Sequence, residues 1–584
     1  MRSSHYCATA VNWARSSETG LLSLSVAVGA GAGLGAIAFR WLITTFTTMF
    51  TGHVDYAGAS QLGNPHLPWL GRYVVLVAPV VAGLVYGPLV HAFAREARGH
   101  GVPEVMYAVA RRGGRIAPQV AGVKALASAL CIGSGGSVGR EGPIVQIGAA
   151  LGSTFGGVFG VPESRRRVMV ACGSAAGIAA TFNAPLAGVF FAMELILSDF
   201  AARSFGMVVL SAVTASVIAR AALGDAPFLH LPAFHVQHVG EYLLFAGLGV
   251  LAGAVGVGFT RVLYAVEDLC DWAWRGPEWL RPAVGGLLLG LLLLALPQMY
   301  GVGYPVLGDG VAGRYGIAFL LVLLVGKMVA TSLTIGIGGS GGVFAPSLFI
   351  GAMLGSAFGQ TATTTLPGLA GQSGAYALIG MGAVFAGAAR APITAVVIMF
   401  ELTGEYSIIL PLMVSIVLST GVSHLLSGDT IYSLKLRRRG VDLSHPPASA
   451  QLDHTSVGQV MTPVERTIGA STDIEKAVAL LETVPHGQLP VIDANGDYRG
   501  VLTAQAVSEL LAADEETGSV ADLVELTGHV RVDQPLSKAL DELQTSVTTG
   551  VPVLDADGRR LAGWLTADDV LCALRPKSPT AALP

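Results

Sequence analysis

Apolar segments follow one another from Leu21 to about Leu426, separated by short polar breaks. Several are shorter than the ~20 residues that a helix needs to cross a bilayer, and glycine-rich sequences interrupt them. Unpaired backbone at that depth is tolerated only inside protein or along a water-filled cavity. The pattern predicts a polytopic α-helical membrane protein with broken helices in the segments 21–43, 73–94, 118–132, 143–159, 166–180, 185–198, 205–222, 241–266, 282–297, 316–335, 344–359, 374–388, 391–403 and 406–426.

One stretch of the chain is written twice. Residues 124–153 return at 327–356, 203 positions later, with the glycines and the proline in register. A second echo follows, because Ala184-Pro185 and Glu194 match Ala391-Pro392 and Glu401 at an offset of 207. Repeated apolar segments with breaks at corresponding positions indicate a transport site between two pseudo-symmetric halves. We therefore predict a membrane domain over 20–434, with halves at about 20–222 and 240–434, after a polar tail at 1–19.

The composition changes at Lys435. A basic run follows the last apolar segment, which predicts that this end is cytoplasmic. Residues 435–456 form a basic and polar linker, and 457–575 carry a soluble α/β pattern that is also written twice, before a short tail at 576–584. Each unit is too small to bury its own core, so we expect the two units to pack as a pair.

Composition excludes several classes of protein. The 584 residues are 52% hydrophobic and only 13% charged, whereas soluble proteins have about 25% charged residues. Five cysteines without metal-type spacing argue against a disulfide framework or a zinc site, and we expect no metal centre. The chain has no basic stripe that would indicate nucleic-acid binding and no nucleophile–base constellation that would indicate an enzyme.

The sequence GREGP at 139–143 carries the most informative chemistry. It places Glu141 at a helix start, with Pro143 in the first turn. An ionisable group in an apolar region is a functional candidate, although a carboxylate there also complements the helix dipole. Helix N-termini that converge inside a membrane hold a dehydrated anion without a full cation. The sequences around Gly101 and Gly342 repeat this design of glycine followed by proline.

These motifs resemble those of a known family. GHGVPE (99–104), GREGP (139–143), GGVFAP (341–346) and the late Ile431-Tyr432-Ser433 are similar to the signatures of the CLC chloride channels and proton/chloride antiporters. The trailing pair resembles cystathionine-β-synthase (CBS) domains. The resemblance implies two inverted halves of broken helices, a homodimer with one pore per subunit, and a bacterial inner (plasma) membrane with the CBS domains in the cytoplasm.

The resemblance also implies roles for individual residues. Glu141 matches the gating glutamate, which competes with anions and takes up protons. Tyr432 matches the tyrosine whose hydroxyl faces the central anion, although an interfacial anchor is the alternative. The implied anion-binding residues are His100, Gly101, Val102, Arg140, Glu141, Gly142, Val343, Phe344, Ala345 and Tyr432.

Two positions depart from the family pattern. His100 stands where chloride-selective members usually have serine, which affects the expected selectivity. Leu195 stands where several antiporters carry an internal glutamate for proton transfer. Its neighbour Glu194 and the repeat partner Glu401 are expected to have structural roles.

In the second CBS unit, Thr566 and Asp569 fit the Thr-x-x-Asp pattern that holds a nucleotide ribose in such domains. The corresponding sequence after Thr503 lacks the aspartate. One adenine-nucleotide site and a purely structural pair both remain open. No cofactor is required for transport.

Three functions compete. Chloride/proton antiport gated by Glu141 is favoured, and Leu195 supports the alternative of a passive chloride channel. A magnesium channel with CBS domains is a remote third, since it would need acidic clusters in the membrane region, which the sequence does not have.

Overall fold

The computed structural model describes residues 17–57, 64–65, 68–224, 238–442, 452, 455–464, 466–484, 487–512, 519–546 and 549–574. Nearly all of the predicted N-terminal tail, part of the predicted linker and the C-terminal tail lie outside these residues. The chain forms two compact units, 1–443 and 444–584.

The first unit is helical. Its first half contains α1 (Glu18–Thr51), α2 (Val74–Phe93), α3 (Val102–Arg111), α4 (Gln119–Gly133), α5 (Glu141–Val158), α6 (Glu163–Phe182), α7 (Pro185–Phe191, continued by a π-helical turn over Ala192–Leu197) and α8 (Ala202–Leu223). Its second half contains α9 (Glu241–Ala273), α10 (Arg281–Ala295), α11 (Tyr304–Val311), α12 (Ile317–Gly336), α13 (Phe344–Thr365), α14 (Ser373–Ala389), α15 (Pro392–Thr403), α16 (Ile409–Leu426) and α17 (Ser433–Arg437).

Within the described residues, six helices are long and apolar enough to cross a membrane, and they include α1, α2, α9 and α12. Shorter apolar helices, such as α4 and α14, lie among them. Helices α4 and α12 end at Gly133 and Gly336, immediately before the glycine-rich sequences. The predicted helix breaks therefore occur at corresponding places in the two halves.

Glycine lets the helices of each half approach closely. A Cβ atom on Gly148 of α5 would lie 2.0 Å from the carbonyl oxygen of Gly173 in α6. The matching pair in the second half is Gly351 of α13 and Gly380 of α14, with a corresponding distance of 2.3 Å. Such contacts exclude any larger residue, and small residues of this kind are typical of membrane helix interfaces.

The loops that follow the broken helices pair with each other at the centre of the unit. The N–H of Gly139 donates to the Gly342 oxygen and the N–H of Gly342 donates to the Gly139 oxygen, both at 2.7 Å. The N–H of Gly99 donates to the Gly339 oxygen at 3.1 Å. These bonds satisfy backbone groups that the helix breaks leave unpaired.

Two buried lysines hold the same loops. Lys124 donates from Nζ to the carbonyl oxygens of Ala97 and Gly99, at 2.9 and 2.8 Å. Its repeat partner Lys327 donates to the Gly301 oxygen at 3.0 Å and to Ser137 Oγ at 2.9 Å. Both side chains are fully buried, so each ammonium group uses protein oxygens in place of water.

Glu194 and Glu401 cap each other's helix across the repeat. The carboxylate of Glu194 accepts from the N–H groups of Ile393 and Thr394 in α15, at 3.2 and 2.8 Å. The carboxylate of Glu401 accepts from the N–H groups at 186 and 187 in α7, at 3.0 and 2.7 Å. Carboxylates are stabilising at helix N-termini, and this exchange supports the structural role predicted for both residues.

The second unit contains two similar α/β repeats. The first has β1 (Ile468–Gly469), α18 (Ile474–Leu481), β2 (Gln488–Ile492), β3 (Tyr498–Thr503) and α19 (Ala504–Ala512), and the second has β4 (Val530–Arg531), α20 (Leu536–Thr545), β5 (Gly550–Leu554), β6 (Leu561–Thr566) and α21 (Ala567–Leu574). In each, the first strand pairs parallel to the second, and the second pairs antiparallel to the third. The hydrophobic cores are separate.

Candidate anion site in the membrane unit

Three helix starts meet where the sequence motifs predict a site. Helices α3, α5 and α13 begin at Val102, Glu141 and Phe344, each directly after a glycine-containing loop. A Cβ atom on Gly142 would lie 2.0 Å from the carbonyl oxygen of His100 and 3.0 Å from the Cα atom of Gly342. The predicted backbone elements therefore lie against one another, and only glycine permits this approach.

The carboxylate of Glu141 lies within this meeting point and is 1% exposed. Its Oε1 atom accepts a hydrogen bond from the hydroxyl of Tyr304, the first residue of α11, at 2.8 Å. Its Oε2 atom accepts from the N–H of Ala345, in the first turn of α13, at 3.4 Å. The carboxyl group of Glu141 thus occupies the N-terminus of a helix from the other half.

Arg140 borders the carboxylate. Its guanidinium carbon lies 5.3 Å from the centre of the Tyr304 ring, and Nη2 donates to the Thr181 oxygen at 3.4 Å. The stacked position places a positive charge beside the tyrosine that binds Glu141.

The first turn of α13 is buried and apolar. Val343, Phe344 and Ala345 are 1%, 2% and 2% exposed. The ring of Phe344 packs against Phe385, with ring centres 4.5 Å apart, and against Phe182 at 5.6 Å. This packing fixes the direction of the helix start, and therefore of its free N–H groups.

His100 lies in the loop before α3 and is 3% exposed. Its ring centre is 6.2 Å from that of Tyr264. Neither ring nitrogen has a hydrogen-bond partner within the described part of the chain, and both are buried. Gly101 follows with φ +85°, a conformation that favours glycine, and leads into Val102. A buried imidazole without partners is suited to contact an anion or a water molecule.

Tyr432 is also buried, with 1% exposure, and precedes α17. Its N–H donates to Thr430 Oγ1 at 3.2 Å. Nearby, the Tyr264 hydroxyl donates to the Ile431 oxygen at 2.6 Å, which fixes the preceding residue. This burial argues against the interfacial anchor that was the alternative for Tyr432.

Leu195 lines a separate cavity of about 370 Å³. The cavity also has polar residues in its wall, among them Ser164, Ser198 and Asp199. At the position where the resemblance implies a proton-transferring glutamate in several antiporters, this chain has an apolar side chain beside a space that is large enough for water.

In the second unit, Asp569 contacts Thr566. The Asp569 carboxylate accepts from the N–H and the hydroxyl of Thr566, at 2.9 and 2.7 Å, and so caps α21. Thr566 lines a cavity of about 330 Å³ together with Trp564, Arg466 and Gln488. The Oε1 atom of Gln488 is buried and has no hydrogen-bond partner in the described residues.

The sequence motifs did not identify Tyr304, the hydroxyl donor to Glu141. One signal was present, because GVGYP at 301–305 repeats GHGVP at 99–103 with an offset of 202. That register places Tyr304 opposite Val102, at a helix start of the predicted kind.

Comparisons with known proteins identify the family. The family model described as "Voltage gated chloride channel" matches residues 82–424, and CBS domain models match 457–513 and 524–576. The chain belongs to the CLC family of voltage-gated chloride channels. It is 37% identical over 389 residues to the H(+)/Cl(-) exchange transporter ClcA of Vibrio parahaemolyticus, which covers 65% of this chain and 82% of that protein.

Solved structures confirm the predicted fold class. The chain resembles a slow cyanobacterial Cl⁻/H⁺ antiporter with a TM-score of 0.64 and 25% identity, over 73% of this chain and 98% of that one. It resembles a eukaryotic CLC transporter with a TM-score of 0.62 and 22% identity, over 94% and 97% of the two chains. The protein is therefore a CLC-type helical membrane protein with a C-terminal CBS pair.

Proposed function

We propose that this protein exchanges chloride for protons, with Glu141 as the group that couples the two ions. The observation that carries the proposal is the bond from the Ala345 N–H to the Glu141 carboxylate. A helix N-terminus is a site for anions, and here a buried side-chain anion occupies it. Chloride and this carboxylate would compete for the same donors.

Protonation provides the coupling. A neutral carboxyl group is a weaker partner for the helix N-terminus and for the Tyr304 hydroxyl than a carboxylate is. On taking up a proton, Glu141 would leave the donors of α13 to chloride, and on losing it the side chain would return. Each cycle then moves a proton and chloride in opposite directions.

The anion would rest mainly on backbone N–H groups at the starts of α3, α5 and α13, with the side chains of His100 and Tyr432 beside it. These donors are fixed by helix geometry and carry no full charge, so they bind an anion without trapping it. Arg140 would add positive charge beside Glu141. These assignments rest on the positions of the residues and on the resemblance to the family.

Leu195 is the feature that favours the alternative of a passive channel. The exchange activity named for the Vibrio relative favours antiport. Water in the cavity of about 370 Å³ beside Leu195 would replace an internal carboxylate as the proton route.

Reversal potentials of the purified protein in vesicles, under opposed pH and chloride gradients, distinguish the two functions. An antiporter gives a potential that depends on both gradients, and a channel gives one that depends on chloride alone. Glu141→Gln should retain chloride flux and lose proton flux. Glu163→Gln is a matched control, since Glu163 also begins a helix but is exposed. Chloride-driven proton movement that survives Glu141→Gln would contradict the assignment.

For the CBS pair we propose one adenine-nucleotide site in the cavity beside Thr566. The cavity offers Trp564 for stacking and the unpaired Gln488 oxygen, which can accept from an exocyclic amine. Calorimetry of the full chain with AMP should give one site per subunit, weakened by Gln488→Leu. Unchanged binding in that variant, or none in the wild type, would favour a structural pair.

The assembly and its location follow the resemblance. We propose a homodimer in a bacterial inner membrane, with the CBS domains on the cytoplasmic side. The basic residues of α17 and of the segment after it support this orientation. Cross-linking in membranes and protease access to the CBS pair from the cytoplasmic side would test the two statements.

A further inference from the structure

A cavity of about 300 Å³ lies at the end of α2 in the membrane unit, apart from the anion site. Its wall is apolar on one side, where Tyr86 and Val90 of α2 are buried. Its rim is basic and consists of His91, Arg95, Arg98 and Arg439, with Glu278 as its carboxylate. This volume is at the lower end of the range for small-ligand pockets.

The rim has an excess of positive charge. Arg98 pairs with Glu278 at 2.6 Å, and Arg439 pairs with Glu104. Arg95 is exposed and has no ion pair with any residue that the structure describes. One guanidinium group is therefore available, and those of Arg98 and Arg439 line the same cavity. Arginine groups of this kind bind phosphate oxygens well.

The cavity opens at the edge of an apolar surface. Helix α2 belongs to a candidate membrane span, Pro68–Phe93, that ends directly before the basic rim. Leu84, Val85 and Phe93 on this helix are 48%, 53% and 64% exposed. Trp279 lies beside this helix. It is 40% exposed, and its carbonyl oxygen packs against Gly87. Tryptophan is enriched where the hydrocarbon meets the headgroups.

The basic rim lies beside the apolar face of α2, as the charged headgroup of a phospholipid lies beside its acyl chains. We propose that the cavity binds the phosphate headgroup of an anionic phospholipid, with acyl chains along the exposed face of α2. Basic pockets between membrane helices recognise such headgroups. A free phosphate shares the headgroup chemistry but has nothing to cover Leu84, Val85 and Phe93.

The cavity is adjacent along the chain to the loop before α3 in the membrane unit. Arg98 directly precedes Gly99, whose oxygen accepts from Lys124 and whose N–H pairs with Gly339. A bound headgroup would hold the segment that leads into the loop before α3. This inference does not depend on the proposed exchange activity, because its test measures lipid binding.

The experiment uses the full-length protein in detergent after removal of lipid, with fluorescent phosphatidylglycerol and phosphatidylcholine as probes. We expect saturable binding of phosphatidylglycerol and much weaker binding of phosphatidylcholine. Each basic residue near a membrane contributes about 1 kcal/mol to the attraction of anionic lipid, so Arg95→Gln should weaken binding about fivefold. Arg95→Glu should weaken it further.

Arg72→Gln is the matched control, because Arg72 is exposed at the opposite end of the same span. It should leave binding unchanged. Inorganic phosphate and glycerol 3-phosphate serve as competitors, and neither should displace the lipid at millimolar concentration. Displacement by either would show a site for free phosphate. Equal binding of the two lipids, or wild-type binding by Arg95→Gln, would overturn the proposal.

Discussion

The hydroxyl of Tyr304 is expected to control how strongly Glu141 competes with chloride. Tyr304→Phe removes the donor at 2.8 Å from Oε1 and leaves the weaker bond of 3.4 Å from the Ala345 N–H. The phenyl ring keeps the packing against Arg140. The change therefore weakens the position of the carboxylate without opening a cavity.

The size of the effect follows from the charge of the acceptor. A hydrogen bond to a charged group contributes about 1.5–3 kcal/mol, which corresponds to about a 10- to 150-fold change in an equilibrium constant. Since carboxylate and chloride compete, Tyr304→Phe should raise apparent chloride affinity toward that of Glu141→Gln, which sets the upper limit. Calorimetric titration with chloride at pH 7 measures the chloride affinity of both variants.

A double-mutant cycle isolates the interaction. In the Glu141→Gln background, the bond from Tyr304 to residue 141 joins two neutral groups, so this interaction should contribute about 1 kcal/mol or less. Tyr300→Phe is the control, since the Tyr300 hydroxyl is buried and donates to the Gly133 oxygen at 2.6 Å. It should lower stability and leave chloride affinity unchanged. If the chloride affinity of the Tyr304→Phe variant is equal to or lower than that of the wild type, the carboxylate does not compete with the anion as described.

Three further predictions concern the helix caps, His100 and the pH dependence of the second unit. Glu194→Gln and Glu401→Gln should each lower the free energy of unfolding by about 1.5–3 kcal/mol, because the two carboxylates cap each other's helix. Unequal losses would contradict this reciprocal role. His100→Ser should change chloride binding about fivefold or less, since the backbone donors remain, and a complete loss in calorimetry would reverse that view. Backbone N–H groups lower the pKa of Asp493 and Asp555. The two carboxylates therefore stabilise the folded state above the unfolded pKa of about 3.9, and this contribution is lost as the pH falls through the lower folded pKa. Urea unfolding of the fragment 444–584 should show this loss, and Asp493→Asn should reduce it.

The apolar pattern predicted the longer helices to within a few residues at most ends, but it did not identify three short ones, α3, α11 and α17. Helix α3 carries Glu104 and Arg111, and α11 has only eight residues, so neither gives a long apolar run. Both begin at the candidate anion site. The bond between Tyr304 and Glu141 joins residues 163 positions apart, and local periodicity contains no information about such a pairing.

The repeat itself separates residues that build the fold from residues that give it a function. Lys124 and Lys327 keep both identity and contact across the two halves, and so do Glu194 and Glu401. The repeat is broken at the helix starts, where Glu141 corresponds to Phe344 at the offset of 203. A symmetric site with a second carboxylate at 344 would place two like charges at one helix junction, which is unfavourable in a buried environment. A single carboxylate facing the bare N-terminus of the other half can instead exchange with an anion, so we infer that transport depends on the position where the duplication is no longer symmetric.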